Sequence, residues 1–186
     1  MFSLMFPSML MPMISTMSRV ALPIIRDEFG LTADLTAWVS ASFTLPFMLL
    51  MPVYGRLSDG VDPRRLILMG IVVFSTGTVL MMSSTSVASV MFGMAVLGLG
   101  VAGMMPLGMG LISSLFNEQE RGRALGTWSS VGPSTGFVGP FIAGFVAAAW
   151  GWRPTYAPPL IVGIVAFVVI WTRVPSRGMQ RGETRA

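Results

Sequence analysis

The uncharged stretches of this 186-residue chain constrain its architecture more than any other feature. Residues 1–18, 35–55, 66–117, 124–152 and 154–172 contain no Asp, Glu, Lys or Arg. A helix needs about 20 mostly apolar residues to cross about 30 Å of hydrocarbon. The stretch 66–117 is long enough for two crossings, with Ser83–Ser86 as the turn between them. The first run extends through Val20–Ile25 if Arg19 is accommodated. The pattern predicts six membrane-spanning helices, about 3–25, 35–55, 66–83, 87–115, 124–149 and 154–172, followed by a basic tail over 173–186. Unpaired backbone groups are costly in lipid, so helices are the expected form. The runs are too long and too evenly apolar for barrel strands. Charged residues make up only 11% of the chain, against about 25% in a soluble domain. The fold class read here is all-α and polytopic, with lipid as its main solvent.

The residue types that are missing exclude several chemistries. There is no Cys, His or Lys, and all twelve positive charges are arginine. A disulfide framework, thiolate chemistry and a histidine-based metal site or proton relay are therefore excluded within the chain. No nucleophile–base pair, metal cluster or cofactor loop stands out, so no cofactor is expected and an enzyme is disfavoured. The N-terminal run lacks a basic start and reaches Arg26-Asp27-Glu28 without a cleavage motif, unlike a signal peptide. The high pI does not indicate nucleic-acid binding, because the arginines sit in short loops and the tail.

Their distribution gives an orientation. With six crossings and the N-terminus inside, the inner segments hold Arg56, Arg64, Arg65, Arg121, Arg123, Arg173, Arg177, Arg181 and Arg185, and the outer loops hold Arg26 and Arg153. Nine arginines against two is a strong positive-inside bias. Both termini are expected in the cytoplasm, with the plasma (inner) membrane as the site.

One inner loop carries more than topology requires. GRLSDGVDPRR, residues 55–65, packs three arginines and two aspartates between long uncharged runs. Its Asp-Gly and Asp-Pro pairs suit a tight turn. The spacing of Gly55, Leu57, Asp59, Arg64 and Arg65 resembles the signature between helices 2 and 3 of the major facilitator superfamily, approximately Gly-x-Leu-x-Asp-Arg-x-Gly-Arg-Arg. Gly60, Asp62 and Pro63 depart from that pattern. The resemblance implies that Asp59 faces a helix end in the other half of a transporter and helps lock the outward-open state. A carboxylate near a helix N-terminus is favourable.

The fifth span adds to the resemblance. Gly132, Gly136, Pro140 and Gly144 fall four apart and form one narrow stripe. Small residues at that spacing let helices approach closely. GFVGPFIAG, with Gly139 before Pro140, is similar to the helix 5 signature of proton-coupled exporters, with Ala143 replacing the first of a Gly-Gly pair. SRVALPIIRDEF at 18–29, WVSASFTLPFMLLMPVYGRLSD through the second span, and NEQERGRALGTW at 117–128 resemble multidrug-type members in the same order. The resemblance covers about Met13 to Trp171 and corresponds to the N-terminal half of a transporter. A shift of ninety residues aligns Glu28 with Glu118, Leu35 with Leu125, Trp38 with Trp128, Ser40 with Ser130 and Phe47 with Phe137. That match suits two inverted three-helix repeats, the arrangement within each half of this superfamily.

In such transporters the substrate sits near the midplane between two six-helix halves. The partners implied are the bilayer, a small-molecule substrate such as a drug or metabolite, and a second six-helix half. Arg19 is the one ionisable residue inside a predicted span, either a substrate contact or a side chain snorkelling outward. Residues that exporters use for proton coupling are replaced here by Met94, Leu97 and Ile14. The methionines at 1, 5, 9, 11, 13, 17, 104, 105 and 109 suit a pliable cavity, but lipid-facing filler is the preferred reading. Trp38, Trp150, Trp152 and Trp171 sit near span ends, as an interfacial belt would place them. Glu118 and Glu120 are candidate partners of Arg64 or Arg65. Three origins suit a six-helix length: an N-terminal fragment of a longer transporter, a half-size protein that dimerises, or a truncated product. An accessory membrane subunit without transport activity is the alternative of a different class.

Overall fold

A computed structural model describes residues 2–115 and 118–173. Helix α1 spans Phe2–Phe29, α2 Ala33–Gly60, α3 Pro63–Ser83, α4 Val87–Val101, α5 Met104–Leu115, α6 Glu118–Trp150 and α7 Ala157–Arg173, with a 3₁₀ turn at Arg153–Tyr156. Six stretches within them are long and apolar enough to cross a membrane. The described residues are helical apart from short connections, and none is a strand.

The helices reach further than the uncharged runs, because polar residues cap them. Thr32 starts α2 by accepting a hydrogen bond from the Leu35 N–H. Ser86 and Ser89 form a reciprocal capping box at the start of α4, which satisfies two end N–H groups. The charged segment 55–65 is a correction to the loop expectation. Helix α2 runs to Gly60 and α3 begins at Pro63. Asp62, one of the departures from the family spacing, is the N-cap and accepts from the Arg64 N–H at 3.0 Å. Pro63 follows at the first helical position, where its missing N–H costs nothing.

The fourth span is not one continuous helix, contrary to the reading of 87–115. Helix α4 ends at Val101 and α5 resumes at Met104. Pro106 has no N–H to offer the Ala102 carbonyl and its ring crowds that carbonyl. Gly103 at the break lies against the Tyr54 ring, where a Cβ would come within 2.8 Å of Cδ1.

Helix α4 packs on α2 and α3, while α1 packs on α6 and α7, and α3 meets α7. Exchange of the first three spans with the last three maps this pattern onto itself. The α2–α4 contact becomes α6–α1, α3–α4 becomes α7–α1, and α3–α7 maps to itself. Corresponding spans run in opposite directions, so the repeats are inverted. The larger core cluster contains Ile14, Ile25, Phe74, Leu97, Trp152 and Tyr156, and a smaller one joins Met13 and Met17 to Ala143.

Close helix contact in lipid relies on packing and small residues. At Gly98 an added Cβ would collide with the Phe43 carbonyl of α2, and at Gly100 with the Phe74 backbone of α3. Both obstacles are backbone, which cannot turn aside. We expect Gly100→Leu to separate α3 from α4 and cost about 1–3 kcal/mol as overpacking. Denaturant unfolding in detergent, followed by circular dichroism, measures it; an unchanged midpoint would show that the helices do not touch there.

Candidate functional site

A groove made of two pockets that share no lining residue lies beside α1 and α2. Its first part, about 310 Å³, is lined by Met11, Phe47, Met104, Met105, Trp128 and Gly132 among others. Its second, about 240 Å³, is lined by Ser15, Ser18, Arg19, Ser40, Thr44 and Met94 with Leu22 and Phe43. The α1 residues Met11, Ser15, Ser18 and Leu22 follow helical spacing and share one face. On α2, the rings of Phe43 and Phe47, one lining each part, stack at 6.0 Å. One part is thus apolar and sulfur-rich, and the other carries four hydroxyls and a guanidinium.

Prolines shape the apolar part. Pro12 of α1 and Pro133 of α6 both line it, and neither can donate to the carbonyl four residues earlier, at Ser8 and Ser129. Several methionines depart from the lipid-filler reading, while Met105 and Met109 are exposed. Met104 is buried, Met11 and Met105 line the groove, and Met13 and Met17 are buried against Ala143 of α6. The side chains of Met1 and Met5 lie outside the described residues.

Arg19 lies inside α1 (Phe2–Phe29), in its second half and ten residues before Phe29. It lines the polar pocket and makes no hydrogen bond or ion pair among the described residues. Ser18 lies within 3.4 Å of the Tyr156 hydroxyl and donates to the Met94 sulfur at 4.0 Å. Ile14 and Leu97 are fully buried in the apolar core.

The glycine stripe divides. Gly136 and Gly144 have nothing within 4 Å of an added Cβ, and Gly132 is equally open. Pro140 shares that face and is exposed. Phe137 and Phe141 beside it are 74% and 70% exposed. Gly139, grouped with the stripe by sequence, instead abuts α1, where a Cβ would lie 2.8 Å from Thr16 Cγ2.

At the end of the bundle near residues 60–63, Gly55 and Leu57 lie on the final turns of α2 and Arg64 and Arg65 on the first turn of α3. The side chains of Asp59 and Glu118 lie outside the described residues, as do residues 174–186. Glu120 is exposed and forms no ion pair among the described residues, and Arg65 is exposed. The pairing expected between Glu120 and these arginines is not made. Arg64 turns elsewhere: Nη2 donates to the Trp171 carbonyl at 2.6 Å, and Cζ sits 5.8 Å from the Trp171 ring centroid. Trp171 lies in the last turn of α7, so Arg64 satisfies one of its end carbonyls and complements the negative end of the helix dipole.

The opposite end holds a junction that the sequence reading missed. Glu28 accepts from Trp152 Nε1 at 2.6 Å and from Arg153 Nη2 at 2.8 Å. Arg153 Nε donates to the Ser84 carbonyl at 2.8 Å, and its Cζ lies 4.5 Å from the Trp152 ring centroid. Trp152 is 1% exposed, so it is not part of an interfacial belt; Trp38, Trp150 and Trp171 are exposed at helix ends. The signal available in the sequence was a single arginine in the otherwise uncharged run 124–172.

The major facilitator superfamily profile matches residues 4–185. The chain belongs to the major facilitator superfamily. It is an integral, multi-pass membrane protein of that transporter family. It is 30% identical over 154 residues to multidrug resistance protein Stp of Mycobacterium tuberculosis (strain CDC 1551 / Oshkosh), covering 82% of this chain and 29% of the relative. It is 29% identical over 165 residues to the probable multidrug resistance protein EmrY of Escherichia coli (strain K12), covering 88% and 32%. The probable actinorhodin transporter of Streptomyces coelicolor is 32% identical over 163 residues, covering 82% and 27%. The chain therefore spans about a third or less of these relatives. A crystal structure of the peptide transporter POT in complex with sulfate superposes with a TM-score of 0.81 at 14% identity, covering 91% of this chain and 36% of that one. That likeness shows the superfamily fold.

The Glu28–Arg153 pair is partly exposed, with side-chain accessibilities of 38% and 34%, so solvent screens it. A double-mutant cycle of Glu28→Gln and Arg153→Gln should give a coupling of about 0.5–1 kcal/mol. Arg153→Gln alone should cost more than Glu28→Gln, because it also abandons the Ser84 carbonyl. Detergent unfolding of the four proteins measures both, and zero coupling would leave the pair without a stabilising role.

Proposed function

We propose that this chain forms one half of the pathway of a secondary transporter that moves small organic molecules across the membrane by alternating access. The groove along α1 and α2 is the observation that carries this reading. It combines an apolar, methionine-rich wall with a few polar groups within the spans, the composition expected of a ligand site. Pliable methionine side chains suit ligands of varied shape. Names among the relatives mention multidrug resistance, actinorhodin and riboflavin, which supports a small organic substrate without fixing one.

The second half packs on the open stripe of Gly132, Gly136, Pro140 and Gly144, whether it lies on the same polypeptide or another. The end near residues 60–63 faces the cytoplasm, as do both termini, in the plasma membrane. The motif Gly55, Leu57, Asp59, Arg64 and Arg65 belongs to the cytoplasmic gate. Arg64 secures α3 to α7, while Asp59 engages a helix end of the second half and favours the outward-open state.

This chain has no cysteine, so single cysteines report access once any cysteine of the second half is replaced. In vesicles of the complete transporter, Met105→Cys should label with an impermeant maleimide from the cytoplasmic side and Ser40→Cys from the outer side. Asp59→Asn should raise the first rate and lower the second by several-fold. Simultaneous labelling of both sites that Asp59→Asn leaves unchanged would indicate a static pore. Failure of the same vesicles to move any solute, with co-purification of a different intact transporter, would favour an accessory subunit.

A further inference from the structure

The polar part of the groove contains an unexplained charge. Arg19 lies within a candidate span, lines a pocket with Ser15, Ser18, Ser40 and Thr44, and engages no acid among the described residues. Of the acidic residues nearest along the chain, Asp27 pairs with Arg26 and Glu28 with Arg153. A charged side chain inside a span is expensive and marks a pathway by default. The surrounding hydroxyls do not neutralise it. Thr44 donates to the Ser40 carbonyl at 3.1 Å and Ser40 to the Thr36 carbonyl at 3.4 Å, so both hydroxyl protons are spent on the backbone of α2. Ser15 makes no hydrogen bond among the described residues. A planar guanidinium with five donors is suited to a carboxylate or sulfonate.

The other part of the groove is not charged. Met11, Phe47, Met104 and Trp128 supply sulfur and aromatic surface. Met11 and Arg19 are eight residues apart on α1, which is about 12 Å at the helical rise. The groove thus presents a cation and an apolar wall at a separation that one small rigid molecule can bridge.

We infer that the substrates of this groove are amphipathic organic anions, their acidic group bound by Arg19 and their apolar body held by Met11, Phe47, Met104 and Trp128. The inference rests on the reading of the groove as half of a transport pathway and adds the charge class of its cargo. An acidic side chain of a second half is the competing partner for Arg19. The two differ in what a change of ligand charge does.

The test uses a matched pair of fluorescent probes, 8-anilinonaphthalene-1-sulfonate and uncharged N-phenyl-1-naphthylamine, with the protein in nanodiscs and empty nanodiscs subtracted. The sulfonate should bind saturably. Arg19→Gln should weaken its binding at least tenfold while changing that of the uncharged probe less than twofold, and Arg19→Lys should recover part of the loss. Equal binding of both probes before and after Arg19→Gln overturns the inference and leaves the groove as an apolar ligand site. Absence of sulfonate binding also overturns it, while the cysteine-access and solute-uptake assays decide the transport reading separately. If Arg19→Gln fails to fold by circular dichroism, Arg19→Ser and Arg19→Lys replace it, and a folded Arg19→Ser that binds the sulfonate as wild type does overturns the inference.

Discussion

Everything in this molecule is arranged around the cost of leaving backbone polar groups unpaired in hydrocarbon. Each span satisfies its N–H and C=O groups internally, so what remains to hold the spans together is side-chain fit. That makes α4 the central element. Its glycines bring it against the backbones of α2 and α3 on two sides, where no larger residue fits. The same demand explains the ends. Thr32, Asp62 and Ser86 each supply an oxygen to a helix start, and Arg64 supplies N–H groups to the last turn of α7.

The two ends of the bundle use charge differently. Near residue 28, a carboxylate, an indole N–H and a guanidinium tie α1 to the segment between α6 and α7, and the guanidinium continues to the carbonyl at Ser84. Near residue 62, the arginine of the family motif binds a carbonyl and an aromatic ring rather than an acid. Between them, inside α1, Arg19 stands beside hydroxyls with no counter-charge among the described residues. These three arginines have three environments, and local sequence did not separate them.

Span number and helical class were legible because uncharged runs of twenty or more residues have one economical solution in lipid. Helix ends were less so, since Asp34 and Asp59 lie inside α2 and charge alone says nothing of where hydrogen bonding stops. The break at Ala102–Gly103 had a visible cause in Pro106, yet its position within an uncharged run concealed it. Contacts across the fold were least legible. Gly139 and Gly136 look alike in a list of spaced glycines, but three residues turn a helix by 300°, or 60° short of a full turn, and one meets Thr16 while the other meets nothing. Trp152 looked interfacial because its role depends on Glu28, 124 residues away.

Helix α1 packs mainly against α6 and α7, the last elements of the described chain. During synthesis at about 5–20 residues per second, α1 enters the membrane well before those partners exist. For on the order of ten seconds at that rate, a proline-bearing helix with an arginine inside it must persist without the neighbours that shelter it. The insertion machinery, or provisional contacts with α2 and α3, must therefore hold α1 in place until the bundle closes around it.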